Sequence, residues 1–312
     1  MSRQGSAALI VVTGIGWGLL APFTKLLFAA DARVFDGVSV AIARAAWALP
    51  IYLFALALAW PLERPAMPPR RWLAFAAMGV CFGPGFFLLF SIAAQHTSVA
   101  HIAFLQGLAP PANAAFAALA FRAPLDGVRR AALAVGVAGV ALLAATKAAA
   151  GSSLFGDAIM LVWLATFAAY ASLLRYAALR YNIVFVTSLV GTLGTAVLVV
   201  GGLLTGTAGA AGHVADDPAR GALFFGGIVV LSALVAPIAF AQAVRRSGVA
   251  VATSGAEYLA IAVGIVFSLA VLHEHWQPLL GVAGLLMLAS LALTFAPADL
   301  FARFAGRVRP IA

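Results

Sequence analysis

The sequence predicts an all-α membrane protein whose ten transmembrane helices form two inverted five-helix repeats. Three observations carry that expectation. Apolar stretches long enough to cross a bilayer fill the chain almost end to end, basic residues gather in alternate gaps between them, and short motifs of the first half recur in the second. Charged residues are 9% of the 312 positions and apolar ones 64%, against about 25% charged in a soluble domain. So little polar surface is left for water that lipid must be the solvent.

A helix rises about 1.5 Å per residue and the hydrocarbon core is about 30 Å thick, so roughly 20 apolar residues make one crossing. The first span, Ser6 to Phe28, lacks a cleavage-site pattern and reads as retained in the membrane rather than as a signal peptide. The second, Val34 to Trp60, carries Arg44 inside it. The third, Trp72 to Ala94, holds Gly83-Pro84-Gly85, where the missing proline donor predicts a kink. It also holds Cys81, the one cysteine, which excludes an intramolecular disulfide. The fourth, Val99 to Phe121, places Gln106 and Asn113 two turns apart on one face. The fifth, Val128 to Thr146, contains Gly136-Val137-Ala138-Gly139, and the sixth, Phe155 to Ala178, contains Trp163. The seventh and eighth run from Ile183 to Leu204 and from Gly221 to Ala243. The ninth, Val249 to Leu272, contains Glu257, and the tenth, Trp276 to Pro297, repeats Gly281-Val282-Ala283-Gly284.

Charge orients the spans. On the side of the N-terminus lie 14 basic residues, and on the other only Arg33, Lys147 and Arg220. The positive-inside rule therefore puts both termini in the cytoplasm of a multi-pass protein, placed in a bacterial inner membrane. A net charge of +9 would otherwise invite a nucleic-acid partner. These arginines are spread over every cytoplasmic loop without one basic face, so no nucleic acid is expected and the anionic inner leaflet is their partner.

The matched Gly-Val-Ala-Gly segments, together with Thr97-Ser98-Val99-Ala100 and Ser247-Gly248-Val249-Ala250, divide the chain into two halves. The expected units are a first repeat over 1–147, a connection over 148–153, and a second repeat with a short cytoplasmic tail over 154–312. An odd number of spans per half forces the second half to enter upside down. Inverted repeats of this kind are the architecture of secondary transporters, with the substrate site near the midplane between the halves.

Gly16-Trp17-Gly18 followed by Pro22 and Lys25, Arg44 in the second span, and Ala94-Gln95-His96-Thr97-Ser98-Val99-Ala100 leading to Pro110 resemble the first half of an EamA-type member of the drug/metabolite transporter superfamily. Leu272-His273-Glu274 followed by Gly281 resembles that family's Gly-Glu junction between the ninth and tenth spans. Within the family the chain is most similar to the YddG-type amino-acid exporters. The resemblance implies ten helices, a central cavity and movement of a small metabolite, commonly amino-acid export. Two positions depart from it. Arg122-Ala123 stands where Gly-Glu would often follow the fourth span, and the proline of the ninth span is replaced around Tyr258 to Ile261.

Candidate site residues follow from cost, because a charged side chain at mid-bilayer costs at least ~2.5 kcal/mol even on a lenient scale. Glu257 is the one acid well inside a span and reads as a coupling carboxylate, binding a proton or an amine, or as a structural acid. Arg44 reads as a contact for a substrate carboxylate or as a helix-helix tether. Lys25, late in its span, can snorkel to the interface. Trp17 and Trp163 fall near the midplane on repeat-related helices, away from the interfacial belt tryptophan prefers. Phe82, Phe86 and Phe90 form one stripe on the third helix. Trp17, Phe82, Phe86, Gln106, Asn113, Trp163, Ser254 and Tyr258 make up the expected substrate-binding set, with Ser254 and Tyr258 flanking Glu257.

Enzyme chemistry finds little footing. There is no Gly-x-x-x-x-Gly-Lys-Ser/Thr loop to cradle ATP phosphates, and His273-Glu274-His275 lacks His-Glu-x-x-His spacing. No cofactor, no metal and no catalytic residue is expected. The expected function is secondary export of amino acids or related small metabolites by alternating access. Export of drugs or other metabolites, lipid modification by a multi-pass enzyme, and passive conduction are the alternatives.

Overall fold

The computed structural model describes residues 3–30, 34–63, 68–122, 126–145, 153–274 and 277–295. The connection expected over 148–153 lies outside them except for Ser153, as do His275 and the tail from 296 onward. Among the described residues every regular element is helical.

Hydropathy and length mark α1 (Ser6–Ala30), α2 (Gly37–Pro61) and α3 (Pro69–His96) as able to cross a membrane. Next, α4 is a pair, Val99–Gln106 and Ala109–Ala120, bent by 45°. Then come α5 (Gly127–Ala145), α6 (Leu154–Ala178), α7 (Ile183–Thr205), α8 (Pro218–Ser247) and α9 (Val249–Ala270), all long enough to span. The last helix, α10 (Pro278–Leu293), is apolar but shorter. The described residues thus hold 8 spanning helices, or 9 with α4 as one broken span. The difference from the expected ten lies in the break of α4 and the short α10.

The proline irregularities have local causes. In α3 the kink expected at Gly83-Pro84-Gly85 is taken up by a π-helical stretch, Cys81–Leu89, whose wider turn accommodates the proline. A second π-helical stretch, Leu223–Val235, lies in α8 just ahead of Pro237. In α4, Pro110 and Pro111 carry no N–H, so the chain turns at Gly107 and Leu108 before helix resumes.

Packing joins one half of the chain to the other. The broadest interfaces are α5 against α10 and α2 against α7, while α1 lies on α8 and α9, and α6 lies on α3 and α4. Small residues set these approaches, as expected where lipid supplies no hydrophobic drive. A methyl group built on Gly14 would come 2.7 Å from Leu259 Cβ, and one on Gly18 would come 2.8 Å from the Ala260 carbonyl. Gly83 and Gly194 bring the backbones of α3 and α7 into direct contact.

One of the two departures, Arg122-Ala123 in place of Gly-Glu, acquires a physical meaning. Glu274 accepts hydrogen bonds from the Val99 amide at 2.9 Å, the Ala100 amide at 3.3 Å and the Ser268 hydroxyl at 2.6 Å. It therefore caps the start of α4, where amides have no helical partner. At α9 the corresponding cap is Gly248, which offers no side-chain acceptor, in keeping with the absence of a glutamate after Arg122. Arg122 and His273, which end α4 and α9, share a left-handed backbone with φ of 53° and 51°. Both side chains are exposed. A non-glycine residue there costs roughly 1–2 kcal/mol, so Arg122→Gly and His273→Gly should each raise the thermal midpoint of the purified protein by about 2–4 °C. A lowered midpoint in both would show that their side chains matter more than the backbone does.

Candidate functional site

Where α1, α3, α6 and α8 meet, their aromatic residues interlock. Trp17 is 5% exposed and lies 4.9 Å from Phe240, 5.7 Å from Phe167 and 6.4 Å from Phe86, ring centre to ring centre. Phe86 touches Trp163 at 5.4 Å, Phe167 at 5.4 Å and Tyr170 at 5.2 Å, and stacks on Phe82 at 5.7 Å. Trp163 stacks on Phe167 at 5.5 Å, and Phe90 reaches Trp163 at 5.9 Å. The stripe on α3 is therefore packed against the second half of the chain. Four expected site residues, Trp17, Phe82, Phe86 and Trp163, come together here.

Phe167, Tyr170 and Phe240 belong to the same cluster and were missed. Trp163, Phe167 and Tyr170 follow the four-then-three spacing of one helical face, a signal present in the sequence. Phe240 has no such companion. Trp163 also has a buried indole Nε1 that meets no acceptor, an unusual state for a donor removed from water.

Two ionisable side chains lie outside the cluster, Arg44 at its edge because Phe87 beside it is 5.2 Å from Phe82. Arg44 is 3% exposed, with its guanidinium 3.9 Å from the centre of the Phe87 ring, and its Nε and Nη1 meet no acceptor. Nearby, the Tyr52 hydroxyl donates to the Ala233 carbonyl and its ring meets Phe82 at 6.0 Å. Glu257 is fully buried on α9, and neither carboxyl oxygen meets a donor.

Of the remaining expected residues, Asn113 sides with Glu257. Its Nδ2 donates to Thr253 Oγ1 at 3.3 Å while Oδ1 stays buried without a donor. Gln106 is buried at the break of α4. Ser254 is buried too, but its hydroxyl donates to the Ala250 carbonyl at 2.7 Å and so is used within its own helix. Tyr258 faces outward at 39% exposure. It does not flank Glu257 as expected, because consecutive helical residues point about 100° apart.

Polar contacts tie the halves at the end where α3 turns into α4. Thr97 donates to Asp157 Oδ1 at 2.6 Å, His101 Nδ1 lies 3.1 Å from both Asp157 oxygens, and Ser153 donates to the His96 carbonyl. At the opposite end Arg175 donates to the Val244 carbonyl at 2.5 Å and Arg71 to the Tyr181 hydroxyl at 2.9 Å. Among the described residues no group of three or more His, Cys, Asp or Glu side chains is placed to hold a metal ion.

Comparison with known proteins bears on the fold of the whole chain and on a family likeness of its first 145 residues. No curated protein matches the chain in sequence. Chains of solved structures do match, 16 in all. One, described only as the crystal structure of a protein, covers 100% of this chain and 100% of its own with a TM-score of 0.61 and 16% identity, a likeness of fold alone. Residues 5–145 match the EamA-like transporter family, whose members are transporters rather than enzymes. In this multi-pass membrane protein the match to that family runs from the start of α1 to the end of α5.

Proposed function

We propose that the protein is a secondary transporter that exports amino acids or related small metabolites across the bacterial inner membrane by alternating access. One observation carries this reading. Arg44 and Glu257, of opposite charge, are both buried with unpaired polar atoms, and an aromatic cluster drawn from both halves lies in the same core. Buried charge without a partner costs several kcal/mol and survives where function uses it. Arg44 lies ~11 Å from the start of α2 and Glu257 ~12 Å from the start of α9 at the helical rise. Those two starts are at opposite ends of the bundle, so the charges sit toward opposite membrane faces. A small molecule bearing both a carboxylate and an ammonium group suits such a pair, and the aromatic interior disfavours a sugar phosphate.

In this reading Trp17, Phe82, Phe86 and Trp163 form the substrate plane, Arg44 meets the carboxylate and Glu257 is the coupling group. Ten spans in two inverted repeats fit the interfaces. Exchanging each helix for the one five places on turns the contacts of α1 with α8 and α9 into those of α6 with α3 and α4, and leaves α2–α7 and α5–α10 unchanged. The two π-helical stretches fall on α3 and α8, a pair related in the same way. Such symmetry supports alternating access, in which one half rocks against the other.

The test is counterflow in proteoliposomes loaded with unlabelled amino acids and offered a labelled panel outside. Saturable, transient accumulation of a labelled amino acid is the expected result. Exchange confined to other metabolites would remove the amino-acid reading, and non-saturable flux would point to a channel.

A further inference from the structure

The interface of α4 with α9 joins to Glu257 polar groups to which the transporter reading gives no role. Three contacts set its register. Asn113 Nδ2 donates to Thr253 Oγ1 at 3.3 Å, a methyl built on Gly107 would come 2.6 Å from Ile261 Cδ1, and one on Gly264 would come 3.2 Å from Ala103 Cβ. The helices therefore run antiparallel along these residues. Glu257 shares one stripe of α9 with Thr253 and Ile261, so it falls opposite the break of α4.

That break is rich in acceptors. Pro110 and Pro111 have no N–H, so the carbonyls of Gln106 and Gly107 lack the amide that a continuous helix would supply four residues on. Asn113 Oδ1 and both oxygens of Glu257 are buried with no donor. A carboxylate and an amide oxygen, both without donors, thus face the turn where two backbone carbonyls have lost their helical amides, and only one of these groups is acidic. Broken helices in membranes hold cations in this manner, through unwound carbonyls beside acidic side chains. The single carboxylate argues for a monovalent ion, because divalent calcium is gathered by several carboxylates.

We infer that the interface between the break of α4 and Glu257 binds a small monovalent metal cation of the Na+ class. The inference rests on the transporter reading only for its use as a coupling ion; binding itself is independent of any substrate. The test is therefore thermal unfolding of the purified full chain in detergent, in NaCl against choline chloride at equal ionic strength. A ligand that binds only the folded state raises the midpoint in a saturable way. The expected result is a Na+-specific, saturating rise of a few degrees that falls at least tenfold in apparent affinity in Glu257→Gln and in Asn113→Leu. Asn113→Asp keeps an oxygen ligand at that position and should retain the rise. No Na+-specific shift in the wild type, or an equal shift in Asn113→Leu and Glu257→Gln, would overturn the site. Counterflow scores separately, so loss of the cation site and loss of the transporter reading are distinct results.

Discussion

Trp17→Ala is expected to abolish transport and to destabilise the protein by about 3–5 kcal/mol, the cost of emptying a tryptophan-sized space in a packed core. Trp17 is where α1 meets rings of α3, α6 and α8, at 6.4, 5.7 and 4.9 Å respectively. Its removal opens a cavity at the junction that must reorganise when one half moves against the other. Transport and stability are separable with two conservative variants. Trp17→Phe refills most of the space and should recover most of the stability. Trp163→Phe keeps a ring against Phe167 but removes the smaller ring of the indole together with an N–H that has no acceptor. If that N–H meets substrate, exchange falls several-fold while the thermal midpoint drops by only a few degrees, since removing an unsatisfied buried donor offsets part of the cavity cost. Full exchange activity in both Trp17→Ala and Trp163→Phe would place the cluster among packing residues. The measurements are the exchange rate per reconstituted protein and the unfolding midpoint in detergent.

Hydropathy made the spans legible because each crossing must hide its backbone within one helix, and that demand is written locally as a run of apolar residues. The same locality exposed Glu257, Arg44 and the midplane tryptophans, since each breaks the apolar pattern at a depth where breaking it is costly. Long-range contacts were beyond such reading. Glu274 caps α4 across a separation of 175 positions, and nothing near Glu274 announces its partner. Phe240 joins the cluster for the same reason, by the meeting of α8 with α1 and α6. The exposed placement of Tyr258 was within reach, because it follows Glu257 directly and two successive helical residues cannot share a face. The break of α4 was half legible. Pro110 and Pro111 stood in the sequence, but that the freed carbonyls sit opposite Glu257 depends on how α4 and α9 register.

Arg44→Met is expected to move transport and stability in opposite directions. As a tether, Arg44 would need an acceptor on a neighbouring helix, and its Nε and Nη1 have none; its recorded contact is the face of Phe87 at 3.9 Å. Stacking on an aromatic face contributes up to about 2 kcal/mol when water is excluded. That is less than the several kcal/mol that burying an ion without a counter-ion costs. Methionine, of similar volume, should therefore leave the unliganded protein as stable or more so. Transport should behave otherwise, because a hydrogen bond to a charged group contributes about 1.5–3 kcal/mol. Losing it would slow exchange of an amino acid by roughly 10- to 150-fold at that figure, and leave exchange of the matching decarboxylated amine nearly unchanged. Arg44→Lys keeps the charge but not the planar fork, so a partial recovery for the amino acid is expected. A tether would give the reverse pattern in Arg44→Met: a lower unfolding midpoint, and equal losses for the amino acid and the amine.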